Sequence, residues 1–150
     1  MDRLTRMMGD FDALGPADFD DMNEDADGMD RLYALCDELA DRDDPENWMP
    51  LLFALMERLD EVDLGSPGPI VHTLERTGTA YRRLLAESVR RKPAPLTIWM
   101  VNRVLNANPP DSHYWIQILE TVDRTSGASR EAVSEARKFL AYQRSRHSDN

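Results

Sequence analysis

Three features of the sequence predict an all-α protein of about six or seven helices. Apolar residues recur at three- and four-residue steps from Met29 onward, no stretch alternates with period two over strand length, and the breaks are short and rich in Pro, Gly and Asp. Helices joined so closely should pack as antiparallel pairs, in a short HEAT-like solenoid or an irregular helical bundle. No internal sequence repeat accompanies the pattern.

The chain has 150 residues, 41% of them apolar, enough for a single core even if one end stays outside it. Residues 1–27 mix Met, Phe and Leu with Asp, Gly and Pro without sustained periodicity. They read as an acidic N-terminal arm, flexible or loosely docked and holding at most a short helix. Residues 28–150 read as one helical domain.

Met29, Leu32, Tyr33, Cys36, Leu39 and Ala40 form the first apolar stripe, stopped by Arg-Asp-Asp-Pro. Trp48, Leu51, Leu52, Leu55, Met56, Leu59 and Val62 form the second, with Asn47 as N-cap and Pro50 in the first turn, where a missing N–H costs little. After the break Gly-Ser-Pro-Gly-Pro, Ser66 caps a short helix carrying Ile70, Val71 and Leu74, with Pro67 at its first position and Gly78 at its end. Tyr81, Leu84, Leu85, Ser88 and Val89 make a fourth stripe, closed by Lys-Pro-Ala-Pro because proline excludes the helical conformation of the residue before it.

The fifth segment begins at Thr97 and is apolar almost all round through Leu105, as expected of a helix covered on two sides. Asp111 or Ser112 caps the sixth, which carries Tyr114, Trp115, Ile118, Leu119 and Val122. Ser129 caps the last, with Ala132, Val133, Ala136, Phe139 and Leu140.

Charge is divided unevenly over this helical frame. Through Leu64 there are 20 Asp or Glu against 5 Lys or Arg, and the remainder carries 8 against 13, so the two stretches stand at −15 and +5 within a net charge of −10. That balance disfavours nucleic acid and anionic membranes as partners and points to a basic protein. No apolar run reaches the roughly 20 residues of a membrane span, and the N-terminus lacks a secretory signal, so a cytoplasmic setting is expected. The lone Cys36 sits on an apolar stripe beside Asp37 and Glu38 and reads as an inert core thiol.

Candidate sites divide into weak patterns and one strong one. Asn23, Asp25, Asp27 and Gly28 imitate the opening of a calcium loop, but the closing position holds Ala34 where a bidentate Glu is required. His72, His113 and His147 stand in separate segments; His72 has only Glu75 at helical spacing, so neither a metal nor a cofactor is expected. The run Tyr81, Arg82, Arg83 to Arg90, Arg91 and Lys92 contains Glu87 at ion-pairing distance and reads as a solvated helix face before it reads as a phosphate surface. Trp99 and Trp115 read as core, whereas Trp48, after a charged loop, should be partly exposed.

The strong pattern is acidic. Asp37, Glu38, Asp41, Asp43 and Asp44, then Glu57, Asp60, Glu61 and Asp63, flank the first two apolar stripes with Arg31, Arg42 and Arg58 almost alone among them. A solvated helix usually interleaves both signs, and unrelieved like charge destabilises a fold until a cationic partner neutralises it. These residues, with Trp48, are the predicted partner-binding set. No nucleophile–base pair, spaced ligand set or phosphate loop is present, so no enzyme is expected.

The stretches DLGSPGPIVHTLE at 63–75, TIWMVNRVLN at 97–106 and WIQILE at 115–120 resemble small all-helical immunity proteins of bacterial polymorphic-toxin and contact-dependent growth inhibition systems. The resemblance covers roughly residues 29–143. It implies a cytoplasmic inhibitor, a monomer or weak homodimer, that binds the C-terminal domain of one cognate toxin, often a nuclease, and blocks its active site or its access to substrate. No binding residues carry over from the resemblance, so the acidic set rests on pattern alone. The alternative is a helical adaptor or scaffold that binds a basic peptide or subunit.

Overall fold

Proline and aspartate mark where most of these helices begin. A computed structural model describes residues 2–148, with side chains through Arg146. Among the described residues there are eight α-helices and no strand: α1 (Arg3–Asp12), α2 (Gly28–Ala40), α3 (Pro45–Arg58), α4 (Gly68–Glu75), α5 (Arg82–Arg91), α6 (Pro95–Asn106), α7 (Ser112–Glu120) and α8 (Arg130–Ser148). Short 3-10 turns occupy Pro16–Phe19 and Val122–Arg124. The helices fall into two compact units, Met1–Tyr81 and Arg82–Asn150.

In the first unit, α1 lies within the acidic arm. Asp2 caps it, its Oδ1 accepting the Thr5 N–H at 2.7 Å. Met7 and Phe11, with Leu14 just beyond the helix, are buried, and α1 packs on α2 and α3. Burying a side chain such as Phe11 contributes about 2 kcal/mol, enough to hold a short helix that would not persist alone. Arg58 strengthens the join: its guanidinium donates to the carbonyls of Leu14 at 2.8 Å and Phe11 at 3.0 Å, satisfying the end of α1.

The buried stripe of α2 is Leu32, Leu35, Cys36 and Leu39. Tyr33, expected on that stripe, is 50% exposed, because the true seam steps from Leu32 to Leu35 and Cys36 and leaves Tyr33 outside it. Helix α3 starts two residues before the predicted cap: Asp44 is the N-cap, Pro45 stands at the first position, and Asn47 lies inside. Trp48 is therefore on the second turn, four residues before Leu52, and is buried with 2% exposure, not partly exposed as expected. Pro50 is correspondingly deeper, at an interior position.

Gly65 and Gly68 have φ of +90° and +67°, and a Cβ on Gly65 would stand 2.6 Å from the Gly68 Cα. This close reversal delays α4, so that Pro67, not Ser66, is its cap residue. Helix α4 packs against α2, and the Thr73 hydroxyl donates to the Pro69 carbonyl at 2.7 Å.

In the second unit, α6 is the central helix, packed against α5, α7 and α8. Buried residues on several sides of it, including Ile98, Met100, Val101 and Leu105, explain its continuous apolar sequence. It begins at Pro95, and the buried Thr97 hydroxyl accepts from the Ala94 N–H at 3.2 Å and donates to the Ala94 carbonyl at 3.0 Å. Ser129 caps α8 as predicted, its Oγ accepting the Ala132 N–H at 3.1 Å.

A polar ladder crosses from α8 to α6. The fully buried Gln143 donates from Nε2 to Asn102 Oδ1 at 2.7 Å and Asn106 Oδ1 at 2.9 Å, while its Oε1 accepts from Arg146 at 3.1 Å. Both amide hydrogens and the amide oxygen are thereby matched.

Candidate functional site

Apart from Glu57, half-buried on α3, the predicted acidic residues separate into three groups once the helices are in place. The first lies on α2. Asp37 and Asp41 are exposed on the same outward side as Asp30 and Tyr33, the spacing of one helix face. Glu38, half-buried, is turned instead toward α1, where it meets Arg6 at 3.0 Å and Arg3 at 3.8 Å. Its charge holds α1 and is largely balanced inside the unit.

The second group is the link from α2 to α3. Asp44 is gripped by the fork of Arg42, with Nε to Oδ1 at 2.8 Å and Nη2 to Oδ2 at 2.7 Å, and also accepts from Asn47 at 3.2 Å. These hydrogen bonds hold its carboxyl below the usual carboxylate range. Asp44 thus shapes the link, whereas Asp43 is exposed. Trp48 is core, and its indole N–H has no hydrogen-bond partner among the described residues. Its place in a binding set is corrected accordingly: a buried ring offers no surface to a partner.

The third group forms a cleft. Asp60, Glu61 and Asp63, following α3, face Asp20 and Asp21, which follow the 3-10 turn, across a cavity of about 760 Å³. Phe19, Met29 and Val62 add carbon surface to its walls, each only half-buried. Asp20 Oδ1 accepts the Met22 N–H at 2.9 Å and Asp63 Oδ1 accepts the Gly65 N–H at 3.0 Å, so the backbone orients both carboxylates. The C-terminal end of α3 also borders the cavity, where the helix dipole adds to the negative potential. Arg58, the only cationic side chain among the described residues lining it, donates to the end of α1.

The cleft therefore unites Asp60, Glu61 and Asp63 but not Asp37, Glu38, Asp41, Asp43, Asp44, Trp48 or Glu57. Asp20 and Asp21 were outside the predicted set. The acidity of their segment was visible in sequence, but not the pairing across some forty residues.

The weaker patterns have local explanations. Asn23 Oδ1 accepts the Asp25 N–H at 3.0 Å, and Asp27 meets Arg31 at 3.3 Å. No group of three or more His, Cys, Asp or Glu among the described residues could hold a metal ion. His72 and His113 are exposed, and the side chain of His147 lies outside the described residues. Arg83 meets Glu87 at 3.9 Å with the predicted i,i+4 spacing, and Arg90 lies over the Tyr114 ring at 5.2 Å. Trp115 is buried as expected, whereas Trp99 is half-buried beneath Arg103 at 5.5 Å. Burial pushes the Cys36 thiol up to about 12 despite a hydrogen bond with Thr73, and the charge of Asp37 adds to the rise.

Charge follows the structural division closely. Residues 1–81 hold 21 acidic and 6 basic side chains, a net of −15, and residues 82–150 hold 7 and 12, a net of +5. No helix among the described residues is long and apolar enough to cross a membrane. No protein-family model, curated protein or solved structure matches the chain.

Proposed function

We propose that the chain is a non-enzymatic immunity protein that binds and neutralises one cognate bacterial toxin through the acidic surface of residues 1–81. The observation that carries this reading is the gathering of the negative charge in one compact unit, where several carboxylates stand exposed and one group borders a cleft. A nuclease-type toxin needs a cationic surface for its own polyanionic substrate. An acidic inhibitor competes for that surface, blocking the active site or the approach of substrate.

Electrostatic attraction also suits the timing of the task. Complementary potentials raise association rates well above those of neutral pairs, and an inhibitor must capture its toxin before damage accumulates. The resemblance of the segments at 63–75, 97–106 and 115–120 to all-helical immunity proteins supports the same reading. In this reading the protein acts in the cytoplasm as a monomer or weak homodimer.

The test is to ask whether a toxin domain is encoded beside this gene and to co-express the two, with growth and complex formation as readouts. The wild-type chain should restore growth. The combined substitutions Asp37→Asn, Asp41→Asn, Asp60→Asn and Glu61→Gln should weaken the complex on the order of 10- to 100-fold and flatten its salt dependence, with helical content unchanged. Unaltered affinity in this variant would remove the acidic surface from the mechanism.

A further inference from the structure

The cleft beside the C-terminal end of α3 presents two chemistries at once. Asp21 and Glu61 stand exposed on its walls, and Phe19, Met29 and Val62, half-buried, line the same cleft. A bare divalent cation is poorly served by this arrangement. It requires several converging oxygens, no such group is present among the described residues, and carbon walls give it nothing. The cleft, of about 760 Å³ and open to one side, has room for side chains of an incoming segment and not just for one ion.

A guanidinium group fits both walls. It is weakly hydrated, stacks on carbon surfaces and pairs with carboxylates at two points, and its three-carbon stem covers apolar surface while the head stays at the rim. The negative end of α3 favours the same charge. An aliphatic neighbour on the incoming chain would cover the rest of the carbon surface. Arg58 does not fill this role, because its Nη1 and Nη2 donate to the carbonyls of Leu14 and Phe11 and direct its head to the end of α1.

We propose that the cleft between residues 19–21 and 59–63 is the receptor for a short basic segment of the partner in which arginine and aliphatic side chains alternate. The proposal rests on the reading of the acidic unit as a docking surface for a basic protein and gives that surface its point of specificity. Arginines engage Asp21 and Glu61, and aliphatic side chains lie on Phe19, Met29 and Val62.

The probe is a fluorescein-labelled hexapeptide of alternating Arg and Leu, compared with one of alternating Arg and Ser, each titrated into the full chain at physiological salt. The Arg-Leu peptide should bind about tenfold more tightly and shift the methyl resonance of Met29. Asp21→Asn with Glu61→Gln should weaken it about tenfold, whereas Asp37→Asn with Asp41→Asn, which removes the same charge from α2, should change it less than about threefold. Equal affinity for the two peptides, or equal losses in the two double variants, would overturn the cleft while leaving a diffuse acidic docking surface intact. Absence of binding by both peptides, together with unchanged toxin affinity in both double variants, would overturn the cleft and the docking surface together.

Discussion

The guanidinium of Arg58 reaches the carbonyl of Leu14 at 2.8 Å, joining the end of α3 to the segment after α1 across 44 residues of sequence. A second bond to Phe11 makes this one side chain the cap of the first helix. Arg58→Met, which keeps much of the stem and removes the donors, should loosen α1 by about 1–2 kcal/mol. Hydrogen exchange should accelerate in residues 3–14 while α6 remains protected.

Pro50 occupies an interior position of α3 on its exposed side, so the Glu46 carbonyl lacks its usual N–H partner. Pro50→Ala restores that donor and should stabilise the first unit by up to about 3 kcal/mol, offset by the greater freedom of the unfolded chain. A rise in the thermal or urea midpoint checks the direction. A fall would mean that α3 depends on the ring at this site.

The fork of Arg42 on Asp44 gives a pH prediction. Hydrogen bonding holds the folded carboxyl below its unfolded value, so its stabilising effect is present above the unfolded value and lost as pH falls through the folded one. In Arg42→Gln, the Asp44 carboxyl resonance should titrate at higher pH than in the wild type. Equal midpoints would mean that the fork does not form in solution.

Cys36 works at the opposite end of the pH scale. Its folded value, raised to about 12 from an ordinary value near 9, means that its contribution is complete below the unfolded value and is lost as pH climbs between the two. Compared with Cys36→Ala, the wild type should lose stability more steeply in that alkaline window. The native thiol should also resist a disulfide reagent at pH 8 until denaturant is added.

Much of the helical frame could be read from the sequence because apolar periodicity agrees with breaks marked by Pro, Gly or Asp from α2 to α8. The helix α1 was harder. Leu4, Met7, Phe11 and Leu14 do follow helical spacing after the cap residue Asp2, but Gly9 and the surrounding aspartates obscure them. A short helix was expected in the arm without a position, which left the counterions of Glu38 hidden, since Arg3 and Arg6 lie on α1. In α3, the Asp44-Pro45 pair was the true start signal, and placing the start at Asn47 left Trp48 near the first turn.

The candidate site was legible only as charge. Nothing local to residues 60–63 announces that Asp20 and Asp21 stand across from them, because that relationship depends on how the 3-10 turn packs against α2. Composition located the acidic unit; the fold divided its carboxylates into those bound internally, such as Glu38 and Asp44, those exposed on α2 and the following link, and those lining the cleft.

The buried Gln143 has a consequence beyond the bonds it makes. A leucine at that position would bury more carbon, yet it would accept several alignments of α8 along α6, because apolar surfaces slide with little penalty. The amide does not. Displacing α8 by one turn, about 5.4 Å, would break at least one of its two bonds, because Asn102 and Asn106 are themselves one turn apart, so Gln143 acts as a detent that favours one longitudinal setting of the two helices.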